Sequence, residues 1–182
     1  CPNLFGNIEF YSPQKLRELL GATTTLRLSR PVLIKIPIDK TDKEVIEMLD
    51  VIASFPIRGV IFGNLWKDKN AKTLDQKEVE KYKKGFYSGK PTEQRSNELI
   101  ELAYKKFGDR LTIVGCGGVF DAEDAYKKIK LGASLVQLIT GLIYQGPQLP
   151  AEINLGLIKL LKKDSYSNIS EAVGKDTISQ KP

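Results

Sequence analysis

Apolar positions along the chain fall into two patterns that take turns. Four short runs are continuously apolar: Val32 to Ile36, Val60 to Phe62, Leu111 to Val114 and Leu135 to Ile139. Runs without alternation predict strands covered on both faces of a sheet. Between the runs, apolar residues recur at helical spacing. Ser12 followed by Pro13 opens a helix carrying Leu16, Leu19 and Leu20, with Gly21 as its stop. Thr41 and Glu44 form a capping box ahead of Val45, Met48, Leu49 and Ile52. Thr92 caps a helix striped by Ile100, Ala103, Tyr104 and Phe107 and ended by Gly108. Asp121 caps another, striped by Ala122, Ala125, Tyr126 and Ile129 and stopped by Gly132. A last helix is predicted from Glu152 to Lys162, and the polar tail after Gly174 is expected to fray.

Strand alternating with helix predicts an α/β fold with a parallel sheet. Four strands suit a small open sheet or half of an eight-stranded (β/α)8 TIM barrel. One connection breaks the rhythm. Trp66 to Lys90 is long, polar and rich in lysine, and it follows a strand's carboxyl end, where α/β folds place their chemistry. Connections of this length are usually functional, so it reads as a lid or binding loop.

Composition narrows the options. The 182 residues are 41% apolar and 27% charged, an ordinary globular balance, and 28 Lys+Arg against 22 Asp+Glu give a net charge of +6. The surplus is dispersed. Lys81, Lys83, Lys84 and Lys127, Lys128, Lys130 alternate with apolar and acidic residues and read as solvated helix faces rather than nucleic-acid contacts. No apolar run approaches the roughly 20 residues that span a bilayer, so a soluble piece is expected. The absence of histidine excludes imidazole acid–base catalysis and every His-containing metal site. Two cysteines, Cys1 and Cys116, are too few for a disulfide scaffold or an all-cysteine zinc site. Met48 is the sole methionine, and the chain opens abruptly at Cys1-Pro2-Asn3, which reads as part of something longer.

Several residues carry candidate chemistry. Lys35 interrupts the run Val32-Leu33-Ile34-Lys35-Ile36-Pro37, and a lysine in a doubly covered strand needs a partner or water. It either points to solvent from an edge strand or is aimed, as a cation, into a site at the strand's carboxyl end. Gly115-Cys116-Gly117-Gly118 follows a strand and precedes a capped helix, so its backbone amides are free to approach an anion. The dinucleotide and P-loop spacings are both absent. Gln137-Leu138-Ile139-Thr140-Gly141 and Ser88-Gly89-Lys90-Pro91 are two further donor-rich turns. Each is ordinary turn chemistry by itself, but the loops after strands 7 and 8 of a (β/α)8 barrel form its usual phosphate site. Asn64 in Gly63-Asn64-Leu65, together with Asn3, offers paired donors and an acceptor to a planar amide ligand, or is a plain turn residue. Cys1 is a candidate base or nucleophile, since an ordinary thiol ionises at about 8.5, or else an inert buried thiol; Cys116 reads as packing.

The ordered set Ser88-Gly89-Lys90-Pro91, Ile113-Val114-Gly115-Cys116-Gly117-Gly118-Val119, Asp124-Ala125 and Gly132-Ala133-Ser134-Leu135-Val136-Gln137-Leu138 resembles the carboxyl-terminal half of the dihydroorotate dehydrogenases. The resemblance runs from Cys1 to about Gly174. It implies an FMN-binding (β/α)8 barrel of which this chain supplies strands five to eight over residues 1–174, with 175–182 as a polar tail and the amino-terminal half missing. It also implies oxidation of dihydroorotate to orotate in pyrimidine biosynthesis. Cys1-Pro2-Asn3 is similar to the family's catalytic loop, which makes Cys1 the base that removes the C5 proton while hydride leaves C6. Asn3 and Asn64 match substrate-binding asparagines, and Lys35 matches the lysine beside the flavin pyrimidine ring. Gly89, Gly117, Gly118, Ile139 and Thr140 match positions around the FMN phosphate, with Gly63 beside the flavin; no metal is implied. Leu65 stands where the family has threonine, and Ile139 where it has tyrosine. Ser-Gly-Lys-Pro and Ala-Ser-Leu-Val-Gln-Leu resemble the membrane-associated quinone-reducing enzymes, whereas a cysteine base is typical of the soluble forms. A quinone or another electron acceptor, a cytoplasmic place or one on the inner membrane face, and homo-oligomerisation all stay open. So do another FMN-dependent barrel reductase of pyrimidines and a non-catalytic, phosphate-binding half-barrel.

Overall fold

The computed structural model of the protein describes residues 11–26, 28–71, 74–81 and 85–178. In chain order the elements are α1 (Pro13–Thr25), β1 (Leu33–Ile36), α2 (Asp42–Ala53), β2 (Gly59–Phe62), α3 (Gln76–Lys81), a 3-10 turn (Lys90–Thr92), α4 (Glu93–Phe107), β3 (Thr112–Cys116), α5 (Ala122–Lys130), β4 (Leu135–Gln137), α6 (Thr140–Gln145), α7 (Leu149–Lys163), α8 (Ile169–Ala172) and α9 (Lys175–Ile178). The four strands pair in parallel in the order β1-β2-β3-β4. Each crossover runs through helix, as parallel pairing requires. The expected α/β architecture with a parallel sheet is what the chain forms.

Register sorts the strand residues onto two faces. Ile34, Val60 and Ile113 lie side by side, as do Ile36, Phe62, Gly115 and Val136. This face meets the helices, and Val60 and Phe62 have no exposed surface. Lys35, Ile61, Val114 and Leu135 occupy the other face. There Leu135 is 59% exposed and Lys35 and Gln137 are also exposed. Continuous apolar runs predict cover on both faces; on this second face Val114 is buried and Ile61 half-buried, but the positions at either edge are open. The difference matters below, because the open face leads into the site.

Side-chain caps start four of the described helices, α1, α2, α5 and α8. Thr41 and Glu44 satisfy each other's backbone N–H groups at the start of α2, and the Asp121 carboxylate accepts from the Asp124 amide at 2.8 Å to start α5. Two boundaries differ from expectation. Gly21 does not stop α1, which runs on to Thr25 because Thr23, Thr24 and Thr25 donate their hydroxyls back to Leu19, Gly21 and Ala22 carbonyls at 2.7–2.8 Å. Leu19 is largely exposed, and Leu16 and Leu20 alone fill the core from α1. Thr92 does not cap α4; its hydroxyl donates instead to the Gly89 carbonyl at 2.7 Å and is buried there. Residues just past Gly174 stay packed: Thr177 is buried and donates to the Leu131 carbonyl at 3.1 Å, and Lys130 pairs with Asp176 at 3.3 Å. Among the described residues no helix is long and apolar enough to cross a membrane.

Candidate active site

The carboxyl ends of all four strands open onto one cleft of about 530 Å³. Lys35 reaches it from β1, Gly63, Asn64 and Leu65 from the end of β2, Cys116 to Val119 from β3, and Val136 to Gly141 from β4 and the start of α6. Ser88 and Gly89 complete the wall ahead of α4. Lys35 is exposed on the edge strand β1, opposite Ile61 in register, and lines this cleft.

The backbone at the end of β2 is tied on both sides. The Gly63 amide donates to the Cys116 carbonyl at 2.9 Å, and the Asn64 amide donates to the Ile36 carbonyl at 3.3 Å. The Phe62–Gly63 peptide is cis. Asn64 is thereby held between β1 and β3, next to Lys35, by backbone rather than by its own side chain.

The three glycine turns converge. Gly117 and Gly118 adopt φ of +118° and +72°, conformations that side chains rarely take. A Cβ on Gly117 would collide with the Thr92 hydroxyl, and one on Gly118 with Glu93. A Cβ on Gly89 would lie 2.8 Å from Thr140 Cγ2. The Thr140 hydroxyl in turn donates to Ser88 Oγ at 3.0 Å, joining the turn after β4 to the turn before α4. Lys90 completes the weave from outside. Its ammonium donates to Asp124 at 2.8 and 2.9 Å and to Glu93 at 3.1 Å, while Asp124 also accepts from the Phe120 amide at 2.9 Å. Burial pulls the Lys90 pKa down, but the bonds to Asp124 and Glu93 outweigh it and hold it above the ordinary lysine value. The result is three turns packed so tightly against Thr92, Glu93 and Thr140 that glycine is needed where they meet, all bordering one cleft.

The structure therefore gathers Lys35, Gly63, Asn64, Gly89, Gly117, Gly118, Ile139 and Thr140 around one cleft. Cys1 and Asn3 lie outside the described residues. The Trp66 to Lys90 connection contains α3 and is pinned at its base by paired Trp66 and Tyr87 backbones, 2.8 and 3.0 Å apart. Both of its ends border the cleft, through Leu65 and Ser88.

A family model described as dihydroorotate dehydrogenase matches residues 1–161. The chain belongs to the dihydroorotate dehydrogenase family. It is 38% identical over 173 residues to the dihydroorotate dehydrogenase (quinone) of Nautilia profundicola, covering 95% of this chain and 46% of that one. It is 36% identical over 175 residues to the protein of the same name from Natronomonas pharaonis, covering 96% and 48%. The dihydroorotate dehydrogenase of Eimeria tenella, solved with ferulenol, superimposes with a TM-score of 0.84 at 26% identity, over 92% of this chain and 49% of that one. Its ligand-free form gives 0.88 over 100% and 54%. The chain spans about half the length of the curated relatives it matches. The four parallel strands and their helices are thus a partial α/β barrel of the dihydroorotate dehydrogenase type.

Sequence reasoning missed one group behind this cleft. Lys128 is not part of a solvated lysine face; it has no exposed surface. Its ammonium donates to Asn97 Oδ1 at 2.8 Å and Ser96 Oγ at 3.1 Å, so burial leaves it hydrogen-bonded rather than stranded. The signal was its spacing: Ala125, Lys128 and Ile129 fall at i, i+3 and i+4, on the stripe that α5 buries.

Proposed function

We propose that this chain supplies the phosphate cradle and the strand-end residues of an FMN-dependent dihydroorotate dehydrogenase, oxidising dihydroorotate to orotate, with a quinone as electron acceptor. The observation that carries the reading is the convergence of three glycine turns with Lys35 and Asn64 on one cleft. The missing cover of the strands' open face would come from an amino-terminal set of strands, closing the barrel and its otherwise unpaired edges.

The residues fit FMN. Gly89, Gly117 and Gly118 let their turns pack against Thr140, Thr92 and Glu93 at the rim of the cleft, where their backbone, with that of Ile139 and Thr140, would hold the phosphate. Tyrosine-to-isoleucine replacement at 139 leaves that backbone contribution intact. Bound FMN would supply a two-electron acceptor for hydride from C6 of the substrate. Lys35 offers a cation on the open face, where it would favour an electron-accepting ring held beside it. Asn64, fixed by the Gly63 and Ile36 ties, binds the substrate's amide and carboxylate edge together with Asn3. Cys1 takes the C5 proton as a thiolate, and the thiol then passes it to solvent. The Leu65 side chain removes a hydroxyl that the family places beside the substrate.

Anaerobic mixing of the flavin-loaded, full-length protein with dihydroorotate tests the reading. Dihydroorotate bleaches the flavin absorbance, dihydrouracil does not, and Cys1→Ser moves the pH profile of bleaching upward because a hydroxyl ionises far above a thiol. Bleaching by dihydrouracil alone would assign the site to another pyrimidine reductase. A protein that takes up no flavin would be the non-catalytic half-barrel.

A further inference from the structure

Lys128 stands apart from the cleft lining, and nothing in the proposed chemistry uses it. Its surroundings nevertheless connect it to the cleft. Lys128 can only donate, so Ser96 Oγ must accept from it. That leaves the single Ser96 proton for a carbonyl, and two stand in reach: Cys116 at 2.9 Å and Phe62 at 3.1 Å. These are the last carbonyls of β3 and β2. The Cys116 carbonyl is the same one that accepts the Gly63 amide. One chain of contacts therefore runs from Lys128 through Ser96 to the two strand ends from which Asn64 and the Gly117–Gly118 turn depart.

A serine in the first turns of a helix ordinarily folds its hydroxyl back onto its own helix. Ser96 instead points across to the strand ends, where it accepts from Lys128 and donates to a strand carbonyl. The sequence also makes room for it. A Cβ on Gly115 would lie 3.0 Å from Lys128 Cδ and 3.2 Å from its Cβ, so glycine in β3 gives the lysine stem room to cross beneath the sheet. Asn97, itself 6% exposed, fixes the ammonium from the next position of α4.

We propose that Lys128 is a positioning residue for the cleft: acting through Ser96, it holds the carbonyl ends of β2 and β3 in register, so that Asn64 and the Gly117–Gly118 turn meet their ligands preorganised. The assignment of those ligands rests on the flavin reading above; the positioning itself does not.

The test is made on the full-length protein with Lys128→Met, which keeps the stem and deletes the donors, and with Ser96→Ala. Amide hydrogen exchange at Gly63 reads the tie to Cys116 directly. Exchange at Gly63 accelerates at least tenfold in both variants, while Val60 and Ile113 amides change less than threefold. The FMN dissociation constant rises about tenfold, riboflavin binding changes little, and combining the two substitutions adds less than a factor of two. Uniform acceleration of exchange across β2 and β3 would overturn the proposal, because it would make Lys128 a general stability element. Unchanged Gly63 exchange would overturn it as well. If neither protein binds flavin, the flavin reading fails and the Gly63 result still decides the role of Lys128. Should Lys128→Met fail to fold, Ser96→Ala carries the same exchange test alone.

Discussion

The two faces of the sheet answer opposite demands with residues one position apart. On the helix side, Ile36, Val60, Phe62 and Ile113 are at most 3% exposed and interlock with α2 and α4. On the other side, Lys35 and Gln137 are exposed and Leu135 keeps 59% of its surface. Two lysines mark the contrast. Lys35 faces the cleft, while Lys128 lies wholly behind the strand ends, held by Ser96 and Asn97. The buried core is concentrated on one face, and the other carries the polar and exposed positions.

The largest effects should separate the faces. Phe62→Ala is expected to cost about 3–5 kcal/mol in denaturant unfolding, the ordinary loss for a large buried side chain with the cavity it leaves. Leu135→Ala in this 182-residue chain should cost under about 1 kcal/mol, since most of that side chain already meets water. A Leu135 loss as large as that of Phe62 would break the comparison. Repeating both in the full-length protein sharpens it: the Leu135 cost should then rise.

A second effect comes from the buried lysine. Burial pushes the Lys128 pKa down to about 8, with Glu93 of α4, Cys116 of β3 and Asp124 of α5 opposing that shift and Lys127 reinforcing it. The unfolded chain keeps its proton up to about 10.4. Between those values the unfolded state binds more protons than the folded one, so stability rises with pH, by about 3 kcal/mol across the window. Wild-type-minus-Lys128→Met unfolding free energies, measured from about pH 7 to 10.5, should show the rise; a flat difference would contradict it.

The smallest effect belongs to the surface clasp. Lys90 is about half exposed, so Lys90→Ala should cost under about 1 kcal/mol of stability. It nevertheless ties α5 to the turn before α4. FMN affinity should therefore drop several-fold in a titration while the melting temperature barely moves.

Much of this was readable in the chain. The parallel α/β order, the capping box at Thr41 and Glu44 and the cap at Asp121 follow from local chemistry that tertiary contacts do not override. The glycine turns and Lys35, which meet at one cleft, stood out because both cost stability unless something meets them: clustered glycines lose backbone entropy on folding, and a charge in an apolar run needs water or a ligand. Gly21 misled because three successive threonines return their hydroxyls to the helix and carry it past the glycine. Thr92 misled because its hydroxyl serves the Gly89 carbonyl rather than its own helix. Lys128 was hidden by its neighbours: Lys127 and Lys130 flank it, and although its spacing puts it on the buried stripe, the partner that satisfies it lies 31 residues away in sequence. Pairing across that distance is not encoded in local periodicity.

If the three glycine turns form one phosphate cradle for FMN, the ligand's phosphate must register on all three. Titrating the full-length apoprotein with FMN and following backbone amide resonances tests it most directly. The largest shifts should fall on Gly89, Gly117, Gly118 and Thr140, and riboflavin should leave those four nearly unmoved. Saturable FMN binding with its largest shifts elsewhere, or equal shifts with riboflavin, would contradict the account.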